Sequence, residues 1–164
     1  MHSPKTLRIV AQDRDHFVAD WHDTVVSMFR GAPTLQHVLN MSNACKALLE
    51  QRPAQVTYLS VIERSSPAPT ETVRRELAVW SRDVVTKLAL AVIVAEGGGF
   101  KNAIVRGVGI ALTVVLPHQV PFKFTSSVEE GATLLGPFLP ADSGGAMALI
   151  SAVAAGRELW EQSL

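Results

Sequence analysis

The chain has 164 residues, a length that suits one domain able to bury a core without disulfide or metal staples. Fifteen basic residues balance fifteen acidic ones, which argues against a nucleic-acid footprint or a polybasic membrane patch. Apolar residues make up 48%, yet no apolar run approaches the ~20 residues that span a bilayer. The single cysteine, Cys45, excludes an internal disulfide and fits a reducing cytosol. Met1 to Thr6 lacks the apolar core of a signal peptide, so the expected location is cytoplasmic.

Leu7 to Gln12 reads as a first strand, stopped by the polar turn Asp13-Arg-Asp15. His16 to Trp21 alternates, with Phe17, Ala19 and Trp21 on one face and the other face expected in water. Thr24 to Arg30 is a third strand, and the short link His22-Asp23 favours an antiparallel meander. Thr34 stands where a helix N-cap belongs, ahead of an apolar series at Leu35, Val38, Leu39, Ala44, Cys45, Leu48 and Leu49 that ends before Pro53.

Gln55 to Ile62 is rich in β-branched and aromatic residues and reads as the next strand. The loop Glu63 to Pro69 follows, and Thr70 caps a second helix with Val73, Leu77, Trp80, Val84 and Leu88 on one stripe. Leu90 to Ala95 is six apolar residues without alternation, the pattern of a strand buried on both faces. After the glycine turn Gly97-Gly-Gly99, Phe100 to Leu116 reads as a third helix, apolar all round beyond Gly107 and therefore in need of cover on both sides.

Pro121 to Thr125 is a short strand. Ser126-Ser-Val-Glu129 has the spacing of a capping box, opening a helix to about Leu135. The linker Gly136 to Asp142 leads to a last helix, Gly145 to Trp160, with Ser143 as its cap. The expected fold is therefore α/β: a mixed, mostly parallel sheet with an N-terminal antiparallel meander and flanking helices. Residues 1–135 form the main unit. Residues 136–164 add a linker and a helix that packs on the same domain or on a partner subunit.

This order resembles the STAS domain of anti-sigma-factor antagonists, in the SpoIIAA-like branch grouped with Sec-fourteen-type lipid carriers. The resemblance covers roughly Leu7 to Leu135. Phe122-Lys-Phe-Thr-Ser-Ser-Val-Glu-Glu-Gly-Ala-Thr-Leu-Leu135 is similar to the family's final strand and helix, with Leu134-Leu135 where Trp-Leu is common. The buried strand Leu90 to Ala95 agrees with the family's strand before its third helix. Sporulation antagonists carry an Asp-Ser-x-Gly or similar phosphorylation motif where the second helix begins. Here Glu63-Arg-Ser-Ser-Pro-Ala-Pro-Thr70 lacks that Asp and Gly. The resemblance implies Ser65, Ser66 and Thr70 as candidate phosphorylation sites; the residues alone read as a serine–proline loop with a threonine cap.

Other constellations are candidates of a different kind. Gly98, Gly99 and Lys101 stand at a helix start beyond a strand end, where free N–H groups attract anions. His16, Asp20 and His22 share one face of a strand at period two, a spacing compatible with zinc ligation but lacking an evident fourth group. Cys45 lies on an apolar stripe and reads as a core residue. No cofactor, metal or catalytic residue is expected. The expected function is a non-catalytic interaction or regulatory module with a protein partner, self-associating as a homodimer or larger homo-oligomer. The alternative is a carrier or sensor of a small apolar ligand held between sheet and helices.

Overall fold

Alternating and continuous apolar runs pair into one sheet in the computed structural model, which describes residues 6–98 and 121–164. Strands β1 (Arg8–Gln12), β2 (His16–Trp21) and β3 (Thr24–Phe29) form an antiparallel meander. Strands β4 (Thr57–Ile62), β5 (Leu90–Ala95) and β6 (Phe122–Thr125) then add in parallel, so the spatial order equals the chain order. The expected mixed α/β sheet is what the chain forms.

Helices cover both faces. Helix α1 (Leu35–Gln51) and helix α2 (Glu71–Asp83) lie on one side, where Val38, Met41, Cys45, Val73 and Trp80 pack on Val18, Val25, Tyr58 and Ala91. Helix α3 (Val128–Leu135) and helix α4 (Gly145–Gln162) lie on the other, where Ala132, Leu135, Leu149, Val153 and Trp160 meet Phe17, Met28, Leu59 and Val92. Alternate residues of β2, β3, β4 and β5 thus feed two cores. The C-terminal helix packs on the sheet of its own chain. The third helix read over Phe100 to Leu116 lies outside the described residues.

Polar groups inside the sheet are mostly matched across strands. Thr24 and Thr57 hydroxyls lie 2.8 Å apart, and Ser27 Oγ sits 2.6 Å from Tyr58 Oη and 3.2 Å from Ser60 Oγ. A one-residue slip of β4 against β3 would orphan these groups in the core, so they specify the register.

Several expectations need correction. Strand β2 is buried on both faces, because α1 lies over the face that alternation alone assigned to solvent. The cap is displaced by one residue, and no full capping box forms: Ser127, not Ser126, caps α3 and accepts the Glu130 N–H at 3.2 Å. Glu130 then takes the Ser126 N–H. Ser143 accepts the Gly145 N–H at 3.1 Å, but the capping position of α4 is Gly144, whose φ of 86° suits glycine. Helix α2 ends at Asp83, and a 3₁₀ turn over Val85–Lys87 carries the chain into β5. Leu35 and Leu39, placed on the buried stripe of α1, are half exposed because the buried arc runs instead through Val38, Met41 and Cys45.

Candidate functional site

In an open sheet with parallel strands, the carboxyl ends of the strands are where side chains from separate elements converge. Phe29, Ile62 and Ala95 are in register across β3, β4 and β5. The residues that follow them, Arg30, Glu63 and Glu96, therefore emerge side by side. Backbone bonds extend the ladder one step further, from Glu63 N–H to Phe29 O and from Glu96 N–H to Ile62 O, each 2.9 Å. By the two-residue period all three side chains share the face covered by α4.

Helix α4 meets them with Arg157, Trp160 and Glu161. Arg30 donates to both carboxylate oxygens of Glu63, at 2.8 and 3.1 Å, and to Glu161 at 3.2 Å. Arg157 donates to Glu96 at 2.8 Å and lies 3.6 Å from Glu63. The Arg30 guanidinium also stands 4.1 Å over the Trp160 ring. Hydrogen bonding to Glu63 comes first among the causes that hold the Arg30 guanidinium above its ordinary pKa. Bidentate pairing of partly buried groups fixes geometry as well as charge. The Trp160 indole N–H donates to Asp13 O at 2.7 Å, tying α4 to the β1–β2 turn as well.

The serine–proline loop rests on this platform. Ser65 donates to Arg30 O at 2.8 Å and Ser66 to Gly31 O at 2.9 Å. Ser66 is buried, whereas Ser65 is exposed and Thr70 caps α2 by accepting the Val73 N–H. Of the three hydroxyls read as phosphorylation candidates, Ser65 and Thr70 are the exposed ones. Gly97 and Gly98 both adopt positive φ, 114° and 63°, which explains the glycines as a tight turn. Gly99 and Lys101 lie outside the described residues.

Beside the platform, at the start of β2, sits a second cluster. Asp13 Oδ1 accepts the N–H groups of Asp15 and His16, and Asp13 Oδ2 accepts from His37 Nε2 at 2.7 Å. Burial opposes ionisation of Asp13, but the Asp15 N–H, the His37 ring and the His16 N–H together hold its carboxyl below the usual value. His37 completes a capping box: its N–H donates to Thr34 Oγ1, and its Nδ1 accepts the Thr34 N–H. The His16 ring stacks on His37 at 4.6 Å between centroids and contacts Phe29 at 4.4 Å.

The zinc candidates do not converge. His16 begins β2 at the carboxyl edge of the parallel strands, while His22, at φ 51°, lies in the turn beyond its far end. Among the described residues no three His, Cys, Asp or Glu side chains form a metal-holding group. Asp20 instead pairs with Arg8. Cys45 lies on the buried face of α1, and burial, with the Asp20 charge adding to it, pushes its thiol well above the ordinary value.

At the opposite edge an open cleft of about 420 Å³ is lined by His22, Asp23, Leu48, Gln51, Arg52, Pro140 and Asp142. Its walls are mostly polar side chains, and Arg52 Nε stands 3.7 Å from Asp23. Comparison with protein-family models, with curated proteins and with solved structures found no significant match for the chain. No helix among the described residues is long and apolar enough to cross a membrane.

Proposed function

We propose that the chain is a non-catalytic, STAS-like regulatory module that acts by binding another protein chain, with a second copy of itself as the first partner. The observation that carries this reading is a contrast between two surfaces. Arg30, Glu63, Glu96, Arg157 and Glu161 at the strand ends are engaged with one another. On α3, on α4 and in the turn between them, by contrast, Leu134, Phe138 and Met147 are 39%, 46% and 72% exposed.

Exposed large apolar side chains are the kind of surface that protein contacts cover. A sequence of 48% apolar residues adds to the argument. The mixed sheet and the Ser127-capped helix α3 are in keeping with the STAS resemblance. Native mass spectrometry of the full chain tests the reading. A dimer or a stoichiometric protein complex is the expected result. A monomer that retains a stoichiometric small molecule contradicts it and favours a carrier.

A further inference from the structure

His16 is the one histidine of the described sheet sealed from water, at 1% exposure, and neither of its ring nitrogens has a hydrogen-bond partner among the described residues. A neutral imidazole in that position forgoes bonds it would make in water. A protonated one would be a buried cation presenting two N–H donors with nothing to accept them. Two rings lie against it. Phe29 covers one side, and the other is the His37 ring in the first turn of α1.

Val38 packs that turn into the core, and polar contacts do the rest. The Thr34–His37 capping box anchors it, and the His37 Nε2–H donates to Asp13. Leu35 and Leu39, one helical turn apart, contribute little burial because about half of each is in solvent: 49% and 50%. The box also depends on an unprotonated ring nitrogen. His37 Nδ1 accepts the Thr34 N–H at 3.2 Å, so a proton there would set two donors against each other.

We propose that the stacked His16–His37 pair is an acid-sensitive latch, in which protonation releases the first turn of α1 from the sheet. Two ionisable groups act on His16, one from each neighbouring element. His37, from α1, opposes a charge on it, and Asp13, from the β1–β2 turn, favours one. Phe29 brings no charge from β3. The Asp13 carboxylate is already committed to His37 and to two backbone N–H groups, so it offers the His16 ring no direct contact.

Burial comes first, and His37 second, in pushing the His16 imidazole from its ordinary 6.5 down to about 3. The sign follows from that depression. Closed, the ring stays neutral; opened, it takes up a proton below its ordinary value. The latch is therefore closed above about pH 6.5 and is driven open as pH falls toward 3. Opening would present Leu35 and Leu39 together with the newly bared Phe29, so acid would create an apolar surface at the carboxyl edge.

Hydrogen exchange of the full chain tests this. From about pH 8 to about pH 5, the opening constant of the first two turns of α1 should rise roughly 30-fold after correction for intrinsic rates. Amides of β4 and β5 should gain much less. His16→Phe keeps the stack without the titration and should flatten the rise, and His16→Leu should do the same if the larger ring is not accommodated. A rise of equal size in β4 and β5, no rise in α1, or an unchanged rise in folded His16 variants would each overturn the latch.

Discussion

Truncating Trp160 tests whether α4 is part of the core or an appendage. Its side chain is fully buried, packs edge-on against Phe17 at 5.1 Å, lies under Arg30 and donates to Asp13 O. Removing a buried tryptophan ring costs about 3–5 kcal/mol. The Asp13 carbonyl would lose its indole donor, and the Arg30 guanidinium would lose a ring face worth ~0.5–1 kcal/mol. These contributions overlap, so about 4 kcal/mol is the expected loss for Trp160→Ala. Against a usual total of about 5–15 kcal/mol, that is a large fraction. With a urea slope of ~1–3 kcal/mol per molar, the midpoint should fall by about 2 M. Trp160→Phe keeps most of the apolar packing and drops the N–H bond, and should cost about 1–2 kcal/mol. Equilibrium urea unfolding, followed by far-UV circular dichroism, reads both. A Trp160→Ala loss below about 1 kcal/mol would refute the placement of α4 on the sheet of its own chain.

Three further outcomes follow from individual contacts. A Cβ on Gly131 would meet Val94 at 2.9 Å and Leu59 and Val92 at 3.2 Å, so Gly131→Ala should destabilise by about 1–3 kcal/mol in urea, despite the ~1 kcal/mol helix preference for alanine. Stabilisation would show that α3 sits further from β5. Ser127→Ala should cost about 0.5–2 kcal/mol in thermal or urea unfolding, and Ser126→Ala much less, because Ser127 is the cap. Equal effects of the two would contradict that assignment. Cys45, buried with its thiol pushed up, should react with a thiol reagent only as fast as the chain opens, and faster in sub-denaturing urea. Labelling at the rate of a free peptide thiol would contradict its burial.

What could be read from the sequence was whatever repeats locally. Apolar runs marked β4 and β5, and threonines ahead of periodic apolar residues marked the starts of α1 and α2. Strand β2 misled for a physical reason: a polar residue on an alternating strand signals water only if no helix lies over it, and α1 does. His16 thus looked solvated and is buried. The ion network was invisible because Arg30 and Glu161 are 131 positions apart, and no local pattern ties them. Its one trace in the sequence is positional. Arg30, Glu63 and Glu96 are each the first residue beyond an apolar strand, where a charged side chain can reach the covering helix. The capping frame at Ser126-Ser127 was a choice between adjacent hydroxyls with adjacent glutamates, and only the helix start could decide it.

As an interaction module, the chain should join a second copy through the exposed apolar side chains Phe138 and Met147. Sedimentation velocity of the full chain beside a Phe138→Ser, Met147→Ser variant measures this directly. Met147 is 72% exposed and Phe138 46%, so the variant should stay folded, with a urea midpoint lowered only modestly by the Phe138 change. The wild-type chain should sediment as a dimer or larger assembly, and the variant as a monomer. A wild-type chain that stays monomeric at the highest concentration reached, or a variant that associates equally well, would contradict it.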